Sequence, residues 1–143
     1  MDHLKIEKKW HEFRFIDQGD GTVKDNITEL VWLKNANCFG KNDWNAAMEA
    51  AYSLADGKCG LIDGSKAGDW RLPKLKELKS LGDRIRSSLS FHPFIDLKLN
   101  YYWSSDEYID DDTRDKVWCV RMGPSGCSVG SKTALSYVWP ARY

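Results

Sequence analysis

The sequence predicts an α+β fold in which antiparallel sheets are flanked by two helices. Short alternating runs surround a glycine turn at residues 19–21, two segments with helical apolar spacing follow, and strand-like runs return after residue 90. The order strands, helices, strands is typical of an α+β domain whose terminal strands pair. Because 143 residues is the length of one domain, we expect a single domain at residues 13–143, preceded by a charged extension at residues 1–12.

The first strands are indicated by residues 13–25, which read FRFIDQGDGTVKD. Two alternating runs on either side of Gly-Asp-Gly are a strong hairpin signal. A second turn at residues 26–29 and the apolar run LVWL at residues 30–33 extend the hairpin. The N-terminal part of the domain is therefore predicted to be a three-stranded meander.

The first helix is predicted at residues 43–55, DWNAAMEAAYSLA, where apolar side chains recur at helical spacing. Asn42 or Asp43 is available as the N-cap. The helix is expected to end near Asp56 and Gly57, because glycine can supply a left-handed C-cap. Residues 59–68 are expected to form a loop.

The second helix follows the stretch WRLPKLKEL at residues 70–78 and is predicted over residues 73–86. Proline fits the first turn of a helix, because its missing amide proton would have no partner there. The apolar face consists of Leu75, Leu78, Leu81 and Ile85. Another face carries a modest basic strip interrupted by one acid, formed by Lys76, Lys79, Asp83 and Arg86. An ordinary solvated face is the favoured interpretation of this strip.

Three later segments predict the remaining strands: residues 101–105 (YYWSS), 116–122 (KVWCVRM) and 136–139 (SYVW). An acidic loop at residues 106–115 joins the first two of them. A glycine-proline turn at residues 123–126 leads the chain toward Cys127.

Charge and composition limit the classes of partner. Lys and Arg total 21 and Asp and Glu total 21, so no overall field favours nucleic acid or an anionic membrane, and any polyanion site must be a local patch. No apolar run is long enough for membrane insertion. The start, MDHLKIEKKW, lacks the apolar core of a signal peptide, which indicates either an intracellular protein or a chain trimmed of its leader. Aromatic residues make up 13%, a content that suits both a packed β-rich core and stacking on sugars.

The four cysteines, at positions 38, 59, 119 and 127, contain no C-x-x-C pair. This spacing argues against a zinc knuckle or a thioredoxin-type redox motif. Three pairings are open, and the two local bridges are Cys38 with Cys59 and Cys119 with Cys127. We favour disulfides over buried free thiols, and a loop of this size contributes about 3 kcal/mol by the chain-entropy estimate.

Four segments together carry a family resemblance: RFIDQGDGTVKDN at residues 14–26, DWRLPKLKEL at 69–78, YWSS at 102–105, and YVWP at 137–140 followed by Arg142. In order and spacing they resemble the Lcl C-terminal domain family, also called DUF1566, which is named after a collagen-like adhesin of bacteria. The likeness spans residues 14–142.

The resemblance implies a C-type lectin-like fold and a surface or secreted binding module, located outside the cell or on its surface. It implies a glycan or a host or cell-surface receptor as partner, with sulfated glycans bound by the adhesin itself, and a homotrimer as one candidate assembly. Trp70 and Arg71 would anchor the second helix against the sheet. The family usually has Thr, Ser or Asn after the proline, whereas this chain has Lys74, so Glu77 is expected to lack a reciprocal capping partner and the helix start to be weaker by about 1 kcal/mol.

Two surfaces are candidates for the ligand site. The loop after the YWSS strand offers aromatics for stacking, and carboxylates and a guanidinium for hydrogen bonds to hydroxyls or sulfates. Its residues are Tyr102, Asp106, Tyr108, Asp110, Asp112 and Arg114. The second candidate is the cationic part of the helical strip, Lys76, Lys79 and Arg86, which would suit a sulfated polysaccharide and bind it in a salt-sensitive way.

No cofactor is predicted, although the acids of the loop, including Glu107 and Asp111, also make it a candidate calcium site. A solvated acidic loop is the favoured interpretation. Calcium-dependent sugar binding of the lectin kind is not expected, because the acidic-Pro-Asn and Trp-Asn-Asp triplets are missing from the expected late positions.

The sequence gives little support to an enzyme. The three histidines are scattered, and no metalloprotease, nucleophile-elbow or phosphate-binding motif is present. We therefore expect a non-enzymatic binding module. A module that binds a protein receptor or has a structural role is the main alternative. Less favoured is an oxidase of the formylglycine-generating type, in which Cys119 and Cys127 would supply the cysteine pair.

Overall fold

The computed structural model describes residues 14–87, 92–110, 112, 114–123 and 126–143. The predicted extension at residues 1–12 lies outside the described residues and stays a prediction. The predicted α+β class is confirmed, with two sheets and two helices in the described part of the chain. The elements are β1 (Phe15–Asp17), β2 (Thr22–Asp25), β3 (Val31–Leu33), β4 (Lys41–Asn42), α1 (Trp44–Ser53), α2 (Leu75–Ser87), β5 (Tyr101–Tyr108), β6 (Lys116–Arg121), β7 (Cys127–Ser131), β8 (Ser136–Tyr137) and β9 (Ala141–Arg142).

The strands form a four-stranded sheet in the order β1-β2-β3-β9 and a five-stranded sheet in the order β4-β8-β5-β6-β7. Within the named strands the pairings are antiparallel, as predicted, except that β5 pairs with β8 in parallel at Tyr102 and Tyr137. Strand β9 lies antiparallel to β3. The two ends of the domain therefore meet in one sheet, which closes the fold.

The predicted N-terminal meander is confirmed. Phe15 of β1 lies opposite Asp25 of β2, and β2 continues into β3 across the second turn. Gly19 and Gly21 both adopt positive φ angles, of 76° and 88°, which residues with a Cβ atom rarely adopt. The hairpin turn therefore depends on glycine at these positions.

Helix α1 begins as predicted and ends earlier than predicted. The Asp43 carboxylate caps it by accepting a 2.8 Å hydrogen bond from the Ala46 amide. The helix stops at Ser53, because Leu54 takes an extended conformation and is fully buried in the core. The expected C-cap at Gly57 is wrong, since this glycine serves the turn that follows, at φ 90°.

Helix α2 begins at Leu75 rather than at Pro73. The Leu78 amide donates to the Lys74 carbonyl, so Lys74 occupies the N-cap position. Pro73 precedes the helix, and its carbonyl accepts a 2.8 Å hydrogen bond from the Ser105 amide of β5. The predicted apolar face is confirmed, since Leu78, Leu81 and Ile85 are buried while Leu75 is partly buried.

Strand boundaries in the second sheet differ from the prediction. Strand β5 continues through Tyr108, because Glu107 and Tyr108 pair with Val117 and Lys116 after an irregularity in the ladder. The acidic loop therefore begins three residues later than expected. Strand β7 at the sheet edge was not predicted, because its sequence CSVGS combines serine and glycine, which are weak strand formers.

One of the two predicted disulfides is confirmed, between Cys38 and Cys59. The Cys119–Cys127 bridge is wrong. Cys127 lies opposite Val120, and Cys119 lies opposite Ser128, so the two thiols project from opposite faces of the sheet. Burial raises the pKa of the Cys119 thiol to about 11, and Cys127 is exposed. The two thiols therefore do not form the adjacent cysteine pair that the oxidase alternative requires.

Aromatic packing explains much of the high tryptophan content. Trp32, Trp70, Trp103 and Trp139 are fully buried. The Trp139 ring lies 4.8 Å from that of Phe94 and 5.5 Å from that of Trp32 in edge-to-face arrangements. Trp32, Trp70 and Trp139 belong to one buried cluster and Trp103 to a second one that includes residues of α1, so none of the four is available to a ligand.

The Cys38–Cys59 bridge is typical of extracellular or secreted proteins, since disulfides persist in oxidising compartments. Among the residues that the structure describes, none belongs to a helix with the length and apolar character that crossing a membrane requires.

Candidate functional site

The residues before α2 fix this helix against the first sheet. Trp70 is 1% exposed, and its indole donates to the Ser65 hydroxyl. The Arg71 backbone exchanges two hydrogen bonds, of 3.0 and 2.9 Å, with Ala141 of β9. The Arg71 guanidinium donates to both Glu77 carboxylate oxygens, at 2.8 and 3.1 Å. The predicted anchoring role of Trp70 and Arg71 is confirmed.

Asp106, predicted as a ligand residue, caps α2. Its Oδ2 accepts a 2.7 Å hydrogen bond from the Leu75 amide at the start of the helix. Glu77 accepts a second one, of 2.8 Å, from the Lys74 amide. Glu77 thus makes its own half of a capping box, while the reciprocal bond from the side chain at position 74 stays missing, as expected for Lys74, and β5 supplies a different cap through Asp106. Asp106 is engaged in the fold and does not project from a loop toward a ligand.

Tyr102, also predicted as a ligand residue, is fully buried. Its hydroxyl donates to the Ala36 carbonyl at 2.8 Å and accepts from the Lys98 amide at 3.1 Å. Its ring lies 5.3 Å from that of Trp139. Burial raises the pKa of the phenol well above its usual range. The ligand role of Tyr102 is therefore wrong, because the residue belongs to the core.

Tyr108 lies at the end of β5 and is partly exposed, as is Trp118 of β6. Their rings are 5.4 Å apart at an interplanar angle of 78°. Sequence reasoning missed Trp118 as a surface residue. The signal was the alternation of KVWCV, in which Lys116, Trp118 and Val120 share one face of the strand.

The other predicted loop residues remain at the surface. Asp110 accepts a hydrogen bond from the Asp112 amide at 2.9 Å, and Asp112 and Arg114 are exposed. Asp111 lies outside the described residues. No group of three side chains suited to a metal ion is found in the part of the chain that the structure describes. Calcium binding at this loop stays a prediction.

The outer side of α2 borders an open groove of about 670 Å³, the basic groove. Lys76 and Lys79 of the predicted strip line it, whereas Arg86 does not. The Arg86 guanidinium instead donates to the Gly123 carbonyl at 2.8 Å and lies 3.3 Å from Asp83. Two cations missed from the sequence, Arg14 and Arg84, join the groove. Its residues are Arg14, Ile27, Lys76, Lys79, Ser80, Asp83, Arg84 and Ser87.

Arg14 is held firmly at the wall of the groove. Its guanidinium donates two 3.0 Å hydrogen bonds to Asp25 and a 2.9 Å one to the Ser80 hydroxyl of α2. Burial alone would raise the pKa of Asp25, yet the Arg14 hydrogen bonds and charge, with the Ile27 amide, bring it below its ordinary value. Lys76 and Lys79 form no ion pair with the described residues. Four cations and the Asp83 carboxylate thus line the groove, and one of these cations, Arg14, is already paired with Asp25.

Residues 21–142 match the sequence model of the Lcl C-terminal domain family. The chain belongs to this family. The match covers both helices and strands β2 to β9, and it confirms the resemblance recognised from four short segments. A comparison with curated proteins finds no match to the chain.

In this Lcl C-terminal domain the recognisable segments build the core. Trp139 of the YVWP segment donates to the Leu33 carbonyl at 2.8 Å from a buried position. Ser104 of the YWSS segment donates to the Trp118 carbonyl at 2.7 Å and is also buried. The family pattern therefore specifies the fold, while the basic groove is formed largely by residues outside these segments, such as Lys79 and Arg84.

Proposed function

We propose that this Lcl C-terminal domain is a non-enzymatic binding module that holds a sulfated polysaccharide in the basic groove. The observation that carries the proposal is the row of Lys76, Lys79 and Arg84 along one open groove, whose wall also holds Asp83 and the Arg14 that is paired with Asp25. Sulfate groups are permanent anions, and charge-assisted hydrogen bonds from Lys and Arg are stronger than neutral ones. Because the net charge of the chain is zero, this local patch supplies the attraction.

The shape of the groove suits a chain-like ligand. Helix α2 has 13 residues, which corresponds to a length of about 20 Å. Cations line the groove from Lys76 in the first turn to Arg84 in the third. A polysaccharide with repeated sulfates matches such a row better than a single small anion does. Ile27, 70% exposed beside the cations, adds an apolar contact for a sugar ring.

We also propose that the fold is C-type lectin-like and that the protein acts outside the cell or on its surface. The closed arrangement of two sheets and two helices supports the first statement, and the Cys38–Cys59 bridge supports the second. A homotrimer and a protein receptor stay predictions. The acidic loop is the weaker candidate site, because Tyr102 and Asp106 are committed to the fold.

The test is binding of heparin and of its desulfated counterpart by calorimetry at 0.05 and 0.5 M salt, in wild type and in the double variant Lys76→Ala/Lys79→Ala. We expect the double variant to bind heparin about tenfold or more weakly at low salt, since each lysine contributes a charge-assisted contact. High salt should weaken the wild type, because screening shortens the range of exposed charges.

The matched control is Lys58→Ala/Lys66→Ala, which removes the same charge from exposed positions outside the groove. Equal losses in both double variants would indicate non-specific attraction and contradict the proposal. Wild-type affinity that does not depend on sulfation or salt would also contradict it.

A further inference from the structure

The Tyr108–Trp118 pair is a surface feature that the proposed function leaves unused, and we call it the aromatic shelf. Both residues are partly exposed, as is common for tryptophan and tyrosine, which are large and carry a polar group. Tyr108 lies opposite Lys116, and Trp118 lies opposite Val129 of the edge strand β7. The shelf thus combines aromatic faces with a lysine at its border.

The aromatic shelf is held in place by the backbone of the sheet. The Trp118 carbonyl accepts a 2.7 Å hydrogen bond from the buried Ser104 hydroxyl. Tyr108 is paired in the β5–β6 ladder, two residues after the Asp106 that caps α2. The two rings also contact each other edge to face. A shelf fixed in this way loses little conformational freedom when a ligand settles on it.

The aromatic shelf lies on the same face of the sheet as α2. Val120 and Trp118 are two residues apart on β6 and therefore share a face. The Val120 Cγ1 atom would lie 3.4 Å from a Cβ atom placed on Gly82 of α2. Asp106, bonded to Leu75, reaches the start of the helix from β5. The shelf accordingly lies toward the N-terminal end of α2.

Along the axis of α2, the lysines of the basic groove lie at about the same height as the aromatic shelf. Moving from Val120 to Trp118 covers about 7 Å along the strand, which equals about four or five residues of helix rise. Counted back from Gly82, that distance reaches the turn between Leu75 and Lys79. Lys79 is three residues from Gly82 and so is its neighbour on the helix surface. Lys79 therefore stands between the shelf and the groove.

We propose that the aromatic shelf is a sugar-stacking subsite that continues the basic groove across Lys79. The inference rests on the proposed function and extends it. One sugar ring of the bound polysaccharide packs its apolar C–H face on the face of one of the two rings, with the other ring standing nearly perpendicular beside it, while sulfates on the adjoining units bind Lys76 and Lys79. The two surfaces make different contributions to binding. Stacking on the aromatic shelf is insensitive to salt, whereas ion pairs in the basic groove weaken as the salt concentration rises.

A sugar is the occupant that fits this surface. The two aromatic rings, nearly perpendicular to each other, offer apolar area and polarisable faces, and Lys116 at their border can donate hydrogen bonds to hydroxyls or sulfates. A peptide anchor would need a deep apolar pocket, and the described pockets lie elsewhere, on the outer side of α2 and beside Cys59. The position beside Lys79, at the border of the basic groove, favours a ligand with anionic substituents.

The experiment is NMR of the full chain with ¹⁵N-labelled tryptophan, titrated with a heparin-derived hexasaccharide and with its desulfated counterpart. The Trp118 indole signal is assigned with Trp118→Phe. We expect this signal to shift on adding the sulfated hexasaccharide, while the indole signals of the buried Trp103 and Trp139 stay in place. Trp118→Leu should weaken binding by about tenfold with an unchanged salt dependence, and Trp118→Phe should weaken it less, since an aromatic face remains.

The outcomes separate this inference from the proposed function. If the wild type binds the sulfated hexasaccharide and the Trp118 signal does not move, the proposed stacking subsite is wrong and the proposed binding in the basic groove is supported. If both hexasaccharides bind equally and the Trp118 signal moves, the proposed stacking subsite is supported and the proposed preference for sulfated ligands is wrong. If neither binds, both proposals fall. Should Trp118→Leu not fold, Tyr108→Leu takes its place, and wild-type affinity in that variant would overturn the shelf.

Discussion

The Asp106 carboxylate of β5 accepts a 2.7 Å hydrogen bond from the backbone amide of Leu75, which is the first residue of α2. A residue 31 positions away thus caps the helix that carries the basic groove. The negative charge also lies at the positive end of the helix dipole, which adds to the favourable interaction. The position of the groove lysines is therefore tied to β5 as well as to the Arg71–Glu77 pair.

The cap makes Asp106 a determinant of stability. Asp106→Ala is expected to lower the free energy of unfolding by about 1 kcal/mol, the usual cost of losing an N-cap. Asp106→Asn should recover most of this loss, because an amide oxygen still accepts the Leu75 hydrogen bond. Urea denaturation measures both. Asp112→Ala, at an exposed position of the acidic loop, is the control and should leave stability unchanged; equal stability of Asp106→Ala and wild type would contradict the cap.

Gly21 is predicted to tolerate substitution less well than Gly19 in the same turn. Both have positive φ, so alanine at either costs about 1 to 2 kcal/mol in backbone strain. At Gly21 a Cβ atom would also lie 2.5 Å from the Gly60 carbonyl oxygen, whereas nothing lies within 4 Å at Gly19. Thermal denaturation of Gly21→Ala and Gly19→Ala should therefore show the larger loss at Gly21. The same loss in both would mean that the hairpin does not pack closely on the loop of Cys59.

The thiol arrangement predicts a labelling pattern. Without reductant, a maleimide should modify the folded protein once, at the exposed Cys127. In denaturant it should modify the protein twice, because Cys119 becomes accessible while the Cys38–Cys59 bridge stays closed. Intact mass spectrometry counts the labels, and Cys127→Ser is the control that should remove the first one. Protein that takes no label in denaturant would carry a second disulfide.

Local sequence patterns were sufficient to predict the elements whose own residues give a clear periodic or turn signal. The apolar spacing of α2 and the turn glycines of the first hairpin predict the structure directly, because side-chain periodicity is set by backbone geometry. The two-residue strands β4 and β9 carry no such signal. They exist through pairing with β8 and β3, which depends on the closed fold and not on their own sequence.

The candidate site was predicted only in part for the same reason. Lys76 and Lys79 follow from the helical wheel of α2. Arg14 joins the groove through a hydrogen bond to Ser80, 66 positions away, and only the folded structure brings these residues together. Tyr102 was assigned to the ligand loop because it lies close to it in sequence, but its aromatic ring packs in the core. Trp118 could have been placed on the surface from the alternation along β6.

Acid should destabilise the domain through carboxylates that the fold keeps ionised. The Asp25 side chain is 1% exposed and paired with Arg14. Burial alone would raise its pKa, but the Arg14 hydrogen bonds bring it below the ordinary value of 3.8. Glu77 behaves similarly, since burial is outweighed by Arg71 and its pKa falls below 4.5. A group with a lower pKa in the folded state stabilises it at higher pH, and this contribution is lost as pH falls through the folded-state pKa.

We therefore expect the free energy of unfolding, measured by urea denaturation between pH 7 and pH 2.5, to fall once the pH drops below about 4.5. Asp25→Asn should cost about 3 kcal/mol at pH 7, because it leaves Arg14 without its buried counter-ion. Its cost should shrink at pH 2.5, because below the ordinary pKa of 3.8 the unfolded chain binds a proton at Asp25 more readily than the folded protein does, which reduces the stabilisation by the ionised form. Glu29→Gln is the matched control, since it removes a carboxylate that is 68% exposed. A cost of Asp25→Asn that is the same at both pH values would contradict an ionised Asp25 that stabilises the fold through Arg14.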